Sequence, residues 1–131
     1  MPALDTNVLV RYLIADDRKQ FELAKQFIEE AITNEALFIP LSVSVELEWV
    51  LRSLYEIKKA IIITTFNSLL EAREIEFQEE SAIEIALSLY ADSNADFADC
   101  LHIASAQTQG RIPLVTFDRK ASRVEGAKLL V

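Results

Sequence analysis

Glycine and proline are scarce, two and three among 131 residues. That excludes a collagen-like or low-complexity chain and leaves few points where the backbone must break direction. The single cysteine, Cys100, has no second thiol in the chain for a disulfide or a thiolate metal site, so it reads as a small packing residue. Apolar runs are short: residues 61–63, and the charge-interrupted residues 4–13, stop far below the roughly 20 residues of a spanning helix, so no membrane-crossing segment is expected. Basic residues are the minority, 13 against 21 acidic ones, for a formal charge of −8. Gross charge therefore works against nucleic-acid affinity, and any such role has to be local. The opening Met1-Pro2-Ala3-Leu4-Asp5 lacks the basic and extended apolar regions of a secretory signal, so a cytoplasmic location is expected.

Apolar residues, in contrast, make up 51% of the chain and charged ones 26%, a composition that packs one ordinary domain over residues 1–131. Residues 2–5 read as a short buried strand and residues 6–14 as an apolar-faced helix, placing Asp5 where strand becomes helix. Phe21, Ala24, Phe27, Ile28, Ala31 and Ile32 recur at three- and four-residue spacing, predicting an amphipathic helix over 17–33. Residues 36–40 read as a strand closed by Pro40, with Ser42 or Ser44 capping the helix that carries Glu46 and Trp49. Residues 58–72 are assigned to helix by length, despite the β-branched 61–65 run. A short strand over 73–77, a helix over 79–90, a turn at 92–94 and an Ala-rich helix over 97–108 ended by Gly110 follow. A buried strand over 112–116 and a last strand over 128–131 complete the chain. Strands alternating with helices predict an α/β fold, a three-layer α/β/α sandwich with a central, mostly parallel sheet.

Five carboxylates stand out against this frame. Ligands of parallel sheets bind outside the carboxyl ends of the strands, and Asp5 and Asp118 each directly follow an apolar strand segment. Asp96 and Asp99 are three residues apart and share a helix face, where they repel each other or else complement the positive end of that helix. Glu46 lies among Val43, Val45, Leu47, Val50 and Leu51, so a carboxylate there is expected to need a partner unless it shares a solvated face with Glu48. Crowded carboxylates are costly without a cation between them, and hard oxygen ligands suit Mg2+ or Mn2+. Such a site activates water and neutralises charge developing on a phosphodiester, which is nuclease chemistry.

Cationic residues follow the acidic segments closely: Arg11; Arg52 with Lys58 and Lys59; Arg119 and Lys120 with Arg123. They are candidates for a rim that grips RNA phosphates, or else ordinary solvated charges. His102, the one histidine, is the only obvious proton shuttle by residue type, but water activated by a metal removes the need for a protein base. Trp49 and Tyr12 are read as core residues.

Four segments in order, Leu4-Asp5-Thr6-Asn7-Val8-Leu9, Val45-Glu46-Leu47-Glu48-Trp49-Val50-Leu51, Asp96-Phe97-Ala98-Asp99-Cys100-Leu101-His102-Ile103-Ala104 and Val115-Thr116-Phe117-Asp118, resemble the PIN-domain family. More narrowly they resemble its VapC-type toxin ribonucleases of bacterial toxin–antitoxin pairs. The resemblance covers nearly the whole chain and implies a metal-dependent endoribonuclease. It makes Asp5, Glu46 and Asp99 the principal acids, Asp96 and Asp118 secondary ones, and Asp5, Asp99 and Asp96 the metal ligands. Thr6, Asn7 and Thr116 would orient carboxylates or water by hydrogen bonds. An antitoxin partner and a homodimer are implied as well. Two other readings stand beside it. One is a phosphohydrolase with Asp5 as nucleophile, which Asn7 disfavours because an asparagine two residues on cannot serve as general acid. The other is a domain that binds RNA or protein without cutting.

Overall fold

The computed structural model describes residues 1–131, in the order α1 (Thr6–Leu13), α2 (Arg18–Ala31), β1 (Leu37–Ile39), α3 (Leu41–Ser53), α4 (Lys59–Glu71), β2 (Ile75–Phe77), α5 (Glu80–Asp92), α6 (Phe97–Thr108), β3 (Leu114–Thr116), α7 (Arg119–Ser122) and β4 (Ala127–Leu129). Both strand ladders are parallel, β1 with β2 and β3 with β4, and helices fill the connections, as an α/β chain requires. No helix is long and apolar enough to cross a membrane. The chain divides into two compact units, Met1–Gln78 and Glu79–Val131.

In the first unit, β1 and β2 pair with Leu37 opposite Ile75 and Ile39 opposite Phe77. The segment read as a strand over 2–5 is held by one isolated bridge between Ala3 and Phe38; Leu4 donates its N–H to the Phe38 carbonyl at 2.9 Å, and the turn into α1 at Asp5 ends the pairing. Leu37, Ile39, Leu47, Ile62 and Phe66 are fully buried, and the Phe66 and Phe77 rings meet at 6.3 Å. α4 is helical despite its β-branched run. Thr64 and Thr65 return their hydroxyls to the carbonyls of Ala60 and Ile61, which settles their side chains within the helix, while Ile62, Phe66 and Leu69 form its buried stripe.

Two expectations for this unit are corrected. Neither Ser42 nor Ser44 caps α3: the cap position is Pro40, which has no side-chain donor or acceptor, and the Gln78 amide oxygen accepts the Leu41 N–H at 2.9 Å instead. Trp49 is not core but 49% exposed, because the helix turns it away from the Leu47, Val50 and Leu51 face.

In the second unit, α5 packs closely along α6, with Tyr90 and Phe97 in an edge-to-face contact at 5.5 Å. Gly110, at φ +66, carries the chain out of α6. Gly126 has a stricter duty: its φ is +100, and a Cβ there would stand 2.7 Å from Gln107 Nε2. The strand expected as buried over 112–116 is shorter, Leu114–Thr116, and partly open, with Ile112 and Val115 exposed. The short helix α7 was not foreseen from the sequence, where four residues give no periodicity to read.

Candidate active site

Asp5 caps α1. Its backbone is extended (φ −76, ψ 158) and its Oδ1 accepts the Thr6 N–H at 2.9 Å, so the carboxylate sits at the positive end of the helix, open to solvent. Beside it Thr6 is buried and its hydroxyl has no hydrogen-bond partner within the protein. Asn7 is exposed.

α3, which packs on α1, presents its two glutamates in opposite ways. The helix buries Val43, Ser44, Leu47, Glu48, Val50 and Leu51. Glu48 lies one turn from both Ser44 and Leu51, on that inner stripe, whereas Glu46 shares the outer face with Ser42 and Trp49. The expectation of a buried Glu46 is thus corrected: Glu46 is exposed, and the buried acid is Glu48, only 3% exposed. Glu48 is held by Arg52, whose Nε donates to Oε2 at 2.8 Å and whose Nη2 donates to Oε1 at 3.4 Å. Of the two glutamates, Glu46 is the one whose carboxylate faces solvent.

The second unit brings two of the sequence-derived acids, Asp96 and Asp118, into electrostatic reach of a third, Asp99. Asp96 stands at the cap of α6 without a side-chain cap bond, and Asp99 lies in the first turn. Asp118 caps α7: its Oδ1 accepts the Ala121 N–H at 2.9 Å, and its own N–H donates to Thr116 Oγ1 at 3.0 Å. Thr116 therefore orients Asp118 through the backbone of the turn. The Asp99 carboxyl is pushed above the usual carboxylate range, first by desolvation, then by the negative charges of Asp118 and Asp96, with His102 opposing. His102 is exposed on α6.

The carboxylates of the second unit are the donor type that a hard divalent cation takes. The donors are carboxylate oxygens, and the like-charge pressure on Asp99 is what a cation relieves. No group of three or more His, Cys, Asp or Glu side chains is gathered closely enough to hold an ion unaided. Mg2+ suits such a setting, since it commonly takes one or two carboxylates and keeps several waters.

The candidate cationic rim divides into two kinds. Arg11 is engaged inside the first unit, where Nε donates to Gln20 Oε1 at 2.6 Å and Nη1 donates to the Tyr55 hydroxyl at 2.9 Å and to Asp16 at 3.3 Å. The Tyr55 hydroxyl in turn donates to Asp16 at 2.9 Å. The hydrogen bond to Tyr55 leads the causes that hold the Arg11 guanidinium above its ordinary value. Arg52 is committed to Glu48. Arg119 and Lys120 instead project from α7, exposed, beside Asp118. Tyr55 was missed by sequence reasoning; it lies 44 residues from Arg11, and nothing local marks the pair. A concavity of about 480 Å³ in the first unit is bordered by Asp5, Asn7, Arg11, Leu23 and Phe27.

Comparison with known proteins agrees with the α/β fold. The family model described as PIN domain matches residues 3–127. A VapC ribonuclease of Aquifex aeolicus (strain VF5) is 30% identical over 125 residues, spanning 95% of this chain and 92% of that protein.

Proposed function

The chain belongs to the PIN domain family, and on that premise we propose that it is a metal-dependent endoribonuclease, the toxin of a type II toxin–antitoxin pair acting in the cytoplasm. The observation that carries the reading is the Asp99 carboxyl, partly desolvated in α6 and facing the negative charges of Asp118 and Asp96 with only His102 to offset them. The similarity to a VapC ribonuclease over almost the whole chain supports RNA as the substrate. A cognate antitoxin and a second copy of the chain are the proposed partners.

Asp5, Asp99 and Asp96 are the proposed ligands of Mg2+ or Mn2+, with Glu46 and Asp118 as further acids. The cation, when bound, supplies a water of lowered pKa and neutralises charge developing on the phosphoryl oxygens. The protein's own contribution is positional. Asp5 is locked at the start of α1 by the Thr6 N–H. Asp118 is fixed between Thr116 and Ala121. Glu46, on the open face of α3, can accept a proton or a hydrogen bond from water. Arg119 and Lys120 hold the phosphate backbone of the substrate.

The test is direct. Purified protein with Mg2+ or Mn2+ is expected to cleave RNA, and EDTA or Asp5→Asn to abolish cleavage. Full activity in EDTA would overturn the metal mechanism, and absence of cleavage of any RNA would favour a binding module.

A further inference from the structure

Phe117 is the most exposed aromatic residue of the chain, at 78%, against 49% for Trp49 and 46% for Phe27. A single exposed phenyl ring is ordinary in itself, and its position is what gives it meaning. It directly precedes Asp118, so their Cα atoms are about 3.8 Å apart, and Asp118 is within electrostatic reach of Asp99. The turn that carries it is fastened on both sides: Thr116 Oγ1 accepts the Asp118 N–H at 3.0 Å, and Asp118 Oδ1 accepts the Ala121 N–H at 2.9 Å. Burial alternates from Leu114 to Phe117, so Val115 and Phe117 share the open side of the strand end. Arg119, Lys120 and Arg123 follow within two turns, all exposed, and Lys120 and Arg123 border a small cleft of about 250 Å³ with Asp92, Ser93 and Asn94.

A rigidly presented, solvated aromatic face next to an acid, with cations one turn away, matches how proteins hold single-stranded nucleic acid: bases stack on aromatic rings while cations track the phosphates. We propose that Phe117 is a base-stacking platform, taking one nucleobase of a single-stranded RNA whose backbone passes Asp118 toward the cationic side chains of α7. The assignment rests on the ribonuclease reading and deepens it, since it names a residue that selects unpaired RNA at the cleavage point. Stacking tolerates any base but requires an unstacked one, so the platform favours loops and single strands over duplex.

Two measurements test it. In metal-dependent cleavage of a single-stranded oligoribonucleotide, Phe117→Ala is expected to raise KM roughly tenfold, within the span of about 5-fold to about 160-fold of one base–aromatic stack, with kcat changed less than about twofold. Phe117→Tyr should restore the wild-type KM, and Phe117→Leu, apolar but without a flat π face, should behave as the alanine variant does. Leucine acting as well as phenylalanine would overturn stacking in favour of a general apolar contact. Independently, Phe117→Trp in metal-free buffer should show fluorescence quenching by the oligonucleotide beyond that of the wild-type protein, and an abasic oligonucleotide of equal length should not produce it. Added quenching without cleavage by the wild-type protein would defeat the ribonuclease reading and leave the platform standing. Cleavage by the wild-type protein without added quenching would defeat the platform alone.

Discussion

The two compact units treat their negative charge in opposite ways. In Met1–Gln78 Asp16 is bound by Arg11 and Tyr55, and the buried Glu48 is clasped by Arg52. In Glu79–Val131 Asp99 is partly desolvated and faces the negative charges of Asp118 and Asp96, with no arginine or lysine among the causes that shift it and only His102 in opposition. A charge satisfied internally stabilises the fold, and one left unsatisfied in the fold is available to a ligand. The contrast separates Glu48, whose charge is bound inside the fold by Arg52, from Asp99, whose charge only His102 offsets.

The sharpest way to break that contrast is Asp99→Asn. Metal-dependent RNA cleavage should fall by about 1000-fold or more in kcat/KM, since the substitution removes a proposed ligand from a cation worth several kcal/mol to the transition state. Retained activity would move Asp99 into the structural class. Next in size, Arg52→Ala should destabilise the protein by about 2–3 kcal/mol in urea unfolding, because it strips a charge-assisted partner from a buried carboxylate, while Glu46→Gln should leave the unfolding midpoint nearly unchanged. Equal effects would mean that the two glutamates of α3 are not distinguished by burial. Tyr55→Phe, which removes one hydroxyl from the Arg11 and Asp16 network, should cost about 1 kcal/mol by the same measurement.

The smallest effect has the most diagnostic sign. Because the folded protein holds the Asp99 carboxyl above its ordinary value, ionised Asp99 opposes folding at neutral pH, and the opposition fades as pH falls through the carboxyl's titration range. Metal-free Asp99→Asn should therefore melt slightly above the wild-type protein at neutral pH, and the gap should close on acidification. Added Mg2+ should raise the wild-type melting temperature and not that of the variant. A variant that melts lower at neutral pH would contradict the crowding.

Much of this architecture is legible residue by residue. Asp5 at the start of α1 and Asp17 at the start of α2 are capping residues in front of periodic apolar stretches, and both helices begin where those signals stand. The α4 assignment survived its β-branched run because length and the buried Ile62, Phe66 and Leu69 spacing outweigh local propensity. The five candidate acids were visible as carboxylates next to apolar segments. Illegible were the Pro40 cap, whose hydrogen bond comes from Gln78, 37 residues away, the Arg11–Tyr55 pair, and the exposure of Phe117 at a turn whose form depends on Thr116 and Asp118 together.

By itself, the sequence determined most of the element order, the parallel α/β class and the family, because caps, periodicity and motif spacing act over a few residues. The tertiary structure decided which acid is which. Glu46 and Glu48 are two positions apart in one apolar helix, and only the rotation of α3 against its neighbours sends the first to solvent and the second to Arg52. A helix fixes the angular spacing of its side chains locally, but the face that meets the core is set by what packs against it.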